Sequence, residues 1–393
     1  MAWLRFLFLT ALIAIGGSGA ARAGAPTDHL AADSEARWVS FDLTDGNQIR
    51  FRTLLNGHWV DAMLDTGVTD TAMSARLARK LGMKPLVQGR ADAIGGSVPL
   101  AWTALERVEV GGLVRLGGRI AIIDADPRVS GSAPVDLFIG ADLLSRHALD
   151  IDFSAKRFRL MPSGRMPFRG AIVPLQLDPA TGLYLTELRL GERQQRQIIV
   201  DSGDGGMLTL ARPAWRGNEH LGGPVTTGMA WGLGGPVTTE LTILPELRIA
   251  TLVAETIELR IEGEGGFSAR KGAGGRIGNG LLRRHRVLLD PGARRMVLAP
   301  LPGATWPVTR STSGLMVMQE GDRLRVLHVM RSSPAEQAGW QAGAEICAID
   351  GAAVPADYAN GDATGWSVGA PGRRVRLTLC DGMERELVLA RFY

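Results

Sequence analysis

Two tripeptides in this 393-residue chain carry the side chains best suited to chemistry, Asp65-Thr66-Gly67 and Asp201-Ser202-Gly203. Each aspartate closes an apolar run, Met63-Leu64 in the first case and Ile199-Val200 in the second. A single such tripeptide is a turn after a strand, in which glycine supplies a positive φ and the carboxylate bonds nearby backbone. A pair offers more. Two carboxylates about 3 Å apart cannot both ionise, so they share one proton; the ionised one can take a proton from water while the other donates to a carbonyl oxygen. The rest of the sequence holds no rival: it has no His-Glu-x-x-His, no Gly-x-Ser-x-Gly and six dispersed histidines. Cys347 and Cys380 have no neighbouring histidine with which to build a zinc site. The sequence therefore points to no metal and no cofactor.

The elements that must position the two aspartates are repeated as well. Residues 139–162, IGADLLSRHALDIDFSAKRFRLMP, align without gaps to residues 277–300, IGNGLLRRHRVLLDPGARRMVLAP. The motif aspartate precedes the Ile-Gly glycine by 75 residues in the first copy and 77 in the second. One unit of about 140 residues is thus duplicated. In the first copy, runs at 48–55 and 58–64 flank Asn56-Gly57, a dipeptide suited to a type I′ hairpin turn, and the second run delivers Asp65. The second copy repeats this with 183–190, a turn through Gly191-Glu192-Arg193 and a strand ending at Asp201. A short helix is expected from Ser74 through Leu77 and Leu81, stopped by Gly82. His147 and His285 recur in the repeat and are read as structural.

On these residues the chain resembles the aspartic proteases, in particular the bacterial retropepsin-like proteases, over residues 36–302. The resemblance implies a mainly β protein of two acid-protease-like β-barrel lobes, with both halves of the site in one chain as in pepsin-like enzymes. It makes Asp65 and Asp201 the catalytic pair, Thr66 and Ser202 the hydroxyl residues that cross-bond the loops, and Gly67 and Gly203 the positions that give the backbone room. Ile139-Gly140 and Ile277-Gly278 would pack behind the loops. Flap hairpins are expected at 93–97, with Gly95, Gly96 and nearby Trp102, and at 232–235, with Gly234, Gly235 and nearby Trp231. These glycines lack the Lys-Ser/Thr continuation of a phosphate-binding loop. The chain departs from the family pattern after each motif glycine, where Val68 and Asp204 replace a small or hydroxyl residue. A third carboxyl at 204 facing inward would raise the pair's pKa and move the pH optimum upward. It also keeps open a second reading, a non-catalytic peptide-binding protein with a degenerate cleft.

Residues 313–393 resemble a bacterial PDZ domain through Ser333-Pro334-Ala335-Glu336-Gln337-Ala338-Gly339, Gly343 and the run ICAIDG at 346–351. Ser333 to Glu336 reads as a capping box with proline at the first helical position. The fold implied is a PDZ-like β-sandwich with one short helix. Gly314, Leu315, Met316 and Val317 would form the loop and strand that capture a peptide C-terminus. Ala344 follows Gly343 where the family favours Asp, and the second helix of the groove must come from 355–369. The acidic loop 357–362 lacks EF-hand spacing and reads as an exposed turn. Cys347 and Cys380 are either paired or separately reduced.

Composition sets the remaining bounds. Residues 1–23 combine Arg5, an apolar run from Phe6 to Ile15 and Ala21-Arg22-Ala23, the pattern of a cleaved secretory signal. No later run approaches the ~20 apolar residues of a membrane span, so a periplasmic or secreted protein is expected. The net charge of +4 is halved when Arg5 and Arg22 leave with that signal. Basic residues are scattered, which argues against nucleic acid as a partner. Glycine, 51 residues, exceeds the usual ~7% and fits a turn-rich β protein. The expected division is 1–23 signal, 24–163 first lobe, 164–303 second lobe and 304–393 PDZ unit, in a monomer acting on protein or peptide.

Overall fold

The computed structural model describes residues 25–124, 134–303, 308–356, 358 and 362–393. The expected signal segment, part of the joint after residue 303 and most of the acidic loop 357–362 lie outside the described residues. Among the described residues no helix is long and apolar enough to cross a membrane.

The two sequence copies fold with one topology. In the first, the sheet runs in the order Ile49–Leu55, His58–Leu64, Leu137–Ile139, Ala72–Ser74, Arg119–Ile123, Gly96–Ala104, Val87–Ala93. In the second, the order is Tyr184–Leu190, Arg193–Asp201, Gly275–Gly278, Leu208–Leu210, Leu252–Ile261, Gly235–Ile249, Thr226–Gly232. The Asn56-Gly57 turn has φ of 48° and 78°, both positive as a type I′ turn requires. The expected helix is Ala75–Lys80, with the Ser74 hydroxyl capping Leu77 N–H and Gly82 at φ 65° just past its end.

The repeated sequence blocks meet. Hairpins Ala148–Asp152 with Arg157–Met161 and His285–Asp290 with Arg295–Pro300 join in a six-stranded sheet, where Asp150 lies opposite Leu288, its counterpart in the alignment. One continuous core, from Phe41 through Leu149, Val200 and Leu289 to Leu298, runs through both copies. Within it, fully buried Asp150 pairs with Arg159 at 3.0 Å and Arg286 at 2.9 Å.

The C-terminal unit has its own core, built on Leu324, Trp340, Ile346, Trp366, Val375 and Leu387. Its sheet runs Leu315–Glu320, Arg323–Val329, Glu345–Ile349, Arg374–Leu379, Glu384–Val388. The last strand, Glu384–Val388, pairs antiparallel with Arg374–Leu379, and Leu389 carries that pairing on to the 372–373 loop through backbone hydrogen bonds. The Pro334–Gln337 helix is capped by the Ser333 hydroxyl, while Glu336 reaches back to Ser332 N–H at 2.7 Å. Cys347 and Cys380 form a disulfide, which closes one of the alternatives left open above.

Candidate active site

Each aspartate stands where a strand runs out between two others. The strand His58–Leu64 pairs in parallel with Leu137–Ile139, and Asp65 N–H donates to the Ile139 carbonyl at 3.0 Å. In the second copy Arg193–Asp201 pairs in parallel with Gly275–Gly278, so Asp201 lies opposite Gly278. The residue after each Ile-Gly returns to the loop: Ala141 N–H donates to the Val68 carbonyl at 2.8 Å and Asn279 N–H to that of Asp204 at 2.7 Å.

The loops are cross-bonded reciprocally. Thr66 Oγ1 donates to the Val200 carbonyl at 2.7 Å and accepts from Ser202 N–H at 2.9 Å. Ser202 Oγ donates to the Leu64 carbonyl at 2.7 Å and accepts from Thr66 N–H at 3.0 Å. Each carboxylate also accepts its own glycine's N–H, Gly67 on Asp65 and Gly203 on Asp201, both at 3.0 Å. A Cβ on Gly67 would fall inside the Asp201 carboxylate, and one on Gly203 inside that of Asp65. Each carboxylate therefore lies against the other copy's motif glycine, where only glycine fits, and the charge of Asp201 acts on Asp65.

Both acids are buried, Asp65 to 8% exposure and Asp201 to 6%, but their surroundings differ. Burial first, then the charges of Asp201 and Asp204, hold the Asp65 carboxyl well above the usual range. Burial and Asp204 push Asp201 up to about 6, while Arg276 pulls the other way. Arg276 is itself buried; its Nε lies 3.7 Å from Asp201 and 3.3 Å from Asp204, and Nη1 lies 2.6 Å from Glu262. The third carboxyl expected from the sequence is thus present and faces the pair, but it comes with a cation that sequence reasoning missed. Asn279 was missed too: its Nδ2 donates to the Ser202 carbonyl at 2.7 Å and to that of Asn47 at 3.0 Å. The signal was available in the repeat. Extending the aligned block by one residue sets Arg276 opposite Phe138, and Asn279 already stood opposite Ala141.

The two glycine-rich hairpins meet tip to tip. Gly234 N–H donates to the Ile94 carbonyl at 2.9 Å, and a Cβ on Gly95 would lie 2.5 Å from the Gly235 carbonyl oxygen. Gly95 has φ 91° and Gly235 φ 103°, so the turn conformation also calls for glycine there. Gly96 pairs with Ala93 to close the first hairpin. Leu233, at the second tip, packs with Trp102 and Leu100 against the first copy's Ile123 and Phe138. From the other side Arg270 and Lys271 hold Asp92 at 2.9 and 3.5 Å. Trp231 Nε1 is buried in the second hairpin with no hydrogen-bond partner among the described residues. His147 and His285 lie after the Leu-Leu turns; His285 Nδ1 contacts the Leu281 carbonyl at 3.2 Å.

The residues expected to capture a peptide C-terminus are placed differently from the aspartates. Gly314 N–H donates to Ser311 Oγ at 2.9 Å and Leu315 N–H to Ser313 Oγ at 3.1 Å, so both donors have partners within the chain. Met316 packs on the second glycine-rich hairpin, where its sulfur accepts Met229 N–H at 3.2 Å. Val317 follows on the strand Leu315–Glu320, which lies at the edge of its sheet. The same face adds Thr227 to His328 at 2.8 Å, Thr226 to the Arg331 carbonyl at 2.6 Å, and a cluster of Leu241, Met330 and Tyr393.

No curated protein matches the chain. Residues 51–146 match the family model described as "gag-polyprotein putative aspartyl protease". That stretch, which holds Asp65 and Ile139-Gly140, is a retropepsin-like aspartyl protease domain.

Proposed function

We propose that this chain is an exported, single-chain aspartic endopeptidase whose catalytic pair is Asp65 and Asp201, one from each lobe. The observation that carries the reading is the reciprocal Thr66/Ser202 cross-bonding, which seats each carboxylate against the other lobe's motif glycine. The matched family stretch supports the first half of the site; the second half rests on the repeated topology. In this mechanism the ionised carboxylate takes a proton from water as it attacks the peptide carbonyl, and the protonated one donates to the carbonyl oxygen. The flap tips close over the pair and exclude bulk water, which strengthens both interactions. The lobes correspond to 24–163 and 164–303. The PDZ-like unit, 304–393, braces the second flap hairpin, with any peptide ligand entering along the open edge of its first strand.

The test is cleavage of an unfolded protein and of a peptide library across about pH 3–8. Asp65→Asn and Asp201→Asn should each lower kcat/KM by at least about 10²–10⁴-fold, and a peptide mimic with a central hydroxyl should inhibit. Full activity in either single variant refutes the shared pair. The peptide-binding reading drew its support from Asp204; the Arg276 neutralising it at 3.3 Å weakens that support. Saturable peptide binding without turnover at any pH would favour it.

A further inference from the structure

We infer that Arg276, clamped by Glu262 and Asp204, is a positioning residue that makes Asp201 the ionised member of the pair and leaves the shared proton on Asp65. The inference rests on the protease reading and adds to it a division of labour between the two acids.

Arg276 and Phe138 both precede the Ile-Gly of their lobe, and they face Thr209 and Ala72 across matching antiparallel pairs. Asp204 and Val68 both follow the motif glycine. In the parallel pairs Ile123 lies beside Ser74 and Ile261 beside Leu210; since Ser74 and Ala211 each cap the following helix, Glu262 is the counterpart of Ile123. One lobe thus has Asp204, Glu262 and Arg276 where the other has Val68, Ile123 and Phe138. The first set is a buried ion cluster: Arg276 is 4% exposed, and Glu262 is also tied to Ser268 N–H at 2.8 Å. The second set contributes Ile123 and Phe138 to an apolar cluster with Met63 and Ala72.

The charges facing Asp201 are Asp65 from the opposite loop, Asp204 from its own loop and Arg276 from the adjacent strand. Among the described residues, those facing Asp65 are Asp201 and Asp204, both acidic. A cation 3.7 Å from Asp201 favours the charged form there, and Asp65, buried and faced by two acids, keeps the proton. Asp201 is then the base toward water and Asp65 the acid toward the carbonyl.

The test reads the two carboxyls directly, without requiring turnover. Aspartate ¹³Cγ resonances of the full chain are titrated, with Asp65→Asn and Asp201→Asn supplying the assignments. Asp201 should ionise at the lower pH. Arg276→Gln should move the Asp201 titration, and the acid limb of any kcat/KM profile, upward by about one pH unit or more, and Arg276→Lys should restore it. Asp204→Asn, which keeps an acceptor for Gly206 N–H, should move both downward by a similar amount. A purely structural role would not give shifts of opposite sign. Ionisation of Asp65 before Asp201, or shifts of one sign in Arg276→Gln and Asp204→Asn, overturns the inference. If Arg276→Gln does not fold, the wild-type order of ionisation and the Asp204→Asn shift still decide it. Absence of turnover in the wild type would refute the protease reading while leaving the titration result intact.

Discussion

Replacing Asp201 by asparagine should make the protein more stable at neutral pH as it removes activity. The fold holds the Asp201 carboxyl at about 6, against 3.8 for the free side chain. Its native pKa is thus raised, so the native state binds the proton more tightly than the unfolded chain does. That contribution is complete below the unfolded pKa of about 4 and is lost as pH rises through about 6. Each pKa unit corresponds to about 1.4 kcal/mol, so by about pH 8 the ionised carboxylate has cost the fold up to about 3 kcal/mol. Asparagine never ionises and avoids this loss. Its Oδ1 can still accept Gly203 and Asp204 N–H, which reach the native carboxylate at 3.0 and 3.1 Å. Imperfect replacement of the other oxygen trims the expected gain to about 1–3 kcal/mol at about pH 8, falling toward zero near pH 3.5. The assay is urea unfolding of wild type and Asp201→Asn at a series of pH values, taking the difference in free energy. A difference independent of pH, or a variant less stable than wild type at about pH 8, refutes the reasoning, since the native carboxyl would not then be held above its unfolded pKa. Asp65→Asn should behave in the same way.

Gly67→Ala places a methyl group inside the Asp201 carboxylate; kcat/KM should fall about 10²-fold or more with displacement of that carboxylate, and an unchanged kcat/KM would mean that Asp201 does not lie against Gly67. Asp92→Ala removes the ion pairs of Arg270 and Lys271 with the first flap and leaves the Arg270 Nη2 bond to the Ala93 carbonyl at 3.1 Å. These pairs are partly exposed, so global stability should change by less than about 1 kcal/mol, while hydrogen exchange at 93–96 and 232–235 quickens; unchanged exchange would show that the ties do not hold the tips. The Cys347–Cys380 bridge spans 33 residues, and loop-closure entropy gives it about 3–4 kcal/mol. The double serine variant should therefore unfold its C-terminal unit at lower denaturant, read by the fluorescence of Trp340 and Trp366, which lie in that unit's core.

Much of the site could be read before any fold was known, because duplication printed it twice. The Asp-Thr/Ser-Gly loops, the Ile-Gly segments and the Asn56-Gly57 hairpin are local patterns whose geometry follows from a few adjacent residues. The Arg276 cluster is different in kind. Its members at 201, 204, 262 and 276 come from three separate stretches that meet only when the strand Leu208–Leu210 inserts between Gly275–Gly278 and Leu252–Ile261. The same holds for the contact of the flap tips, and for the docking of Met316 and His328 on Thr226–Gly232. Tertiary pairing made these contacts; the repeat marks Arg276 as a departure from Phe138 but does not say what it touches.

The repeat also explains why departures from it matter more than agreements. Two identical halves around a two-fold axis would present equivalent carboxylates, and the shared proton would have no preferred side until substrate broke the symmetry. A single chain with two diverged halves is free of that constraint. Here the backbone keeps the two-fold arrangement closely enough for Asp150 to lie opposite its own counterpart, Leu288, and for Thr66 and Ser202 to make matching bonds. The difference is concentrated in the side chains beside the acids, where Val68, Ile123 and Phe138 in one lobe stand against Asp204, Glu262 and Arg276 in the other. Burying three charges beside a buried acid is unfavourable unless they are mutually satisfied, and here Arg276 reaches all three carboxylates within 3.7 Å. A cluster of that kind contributes little to stability that an apolar set like the first lobe's would not supply. What it does supply is a fixed positive charge beside one oxygen of one acid, which leaves the base and the acid already assigned before substrate arrives.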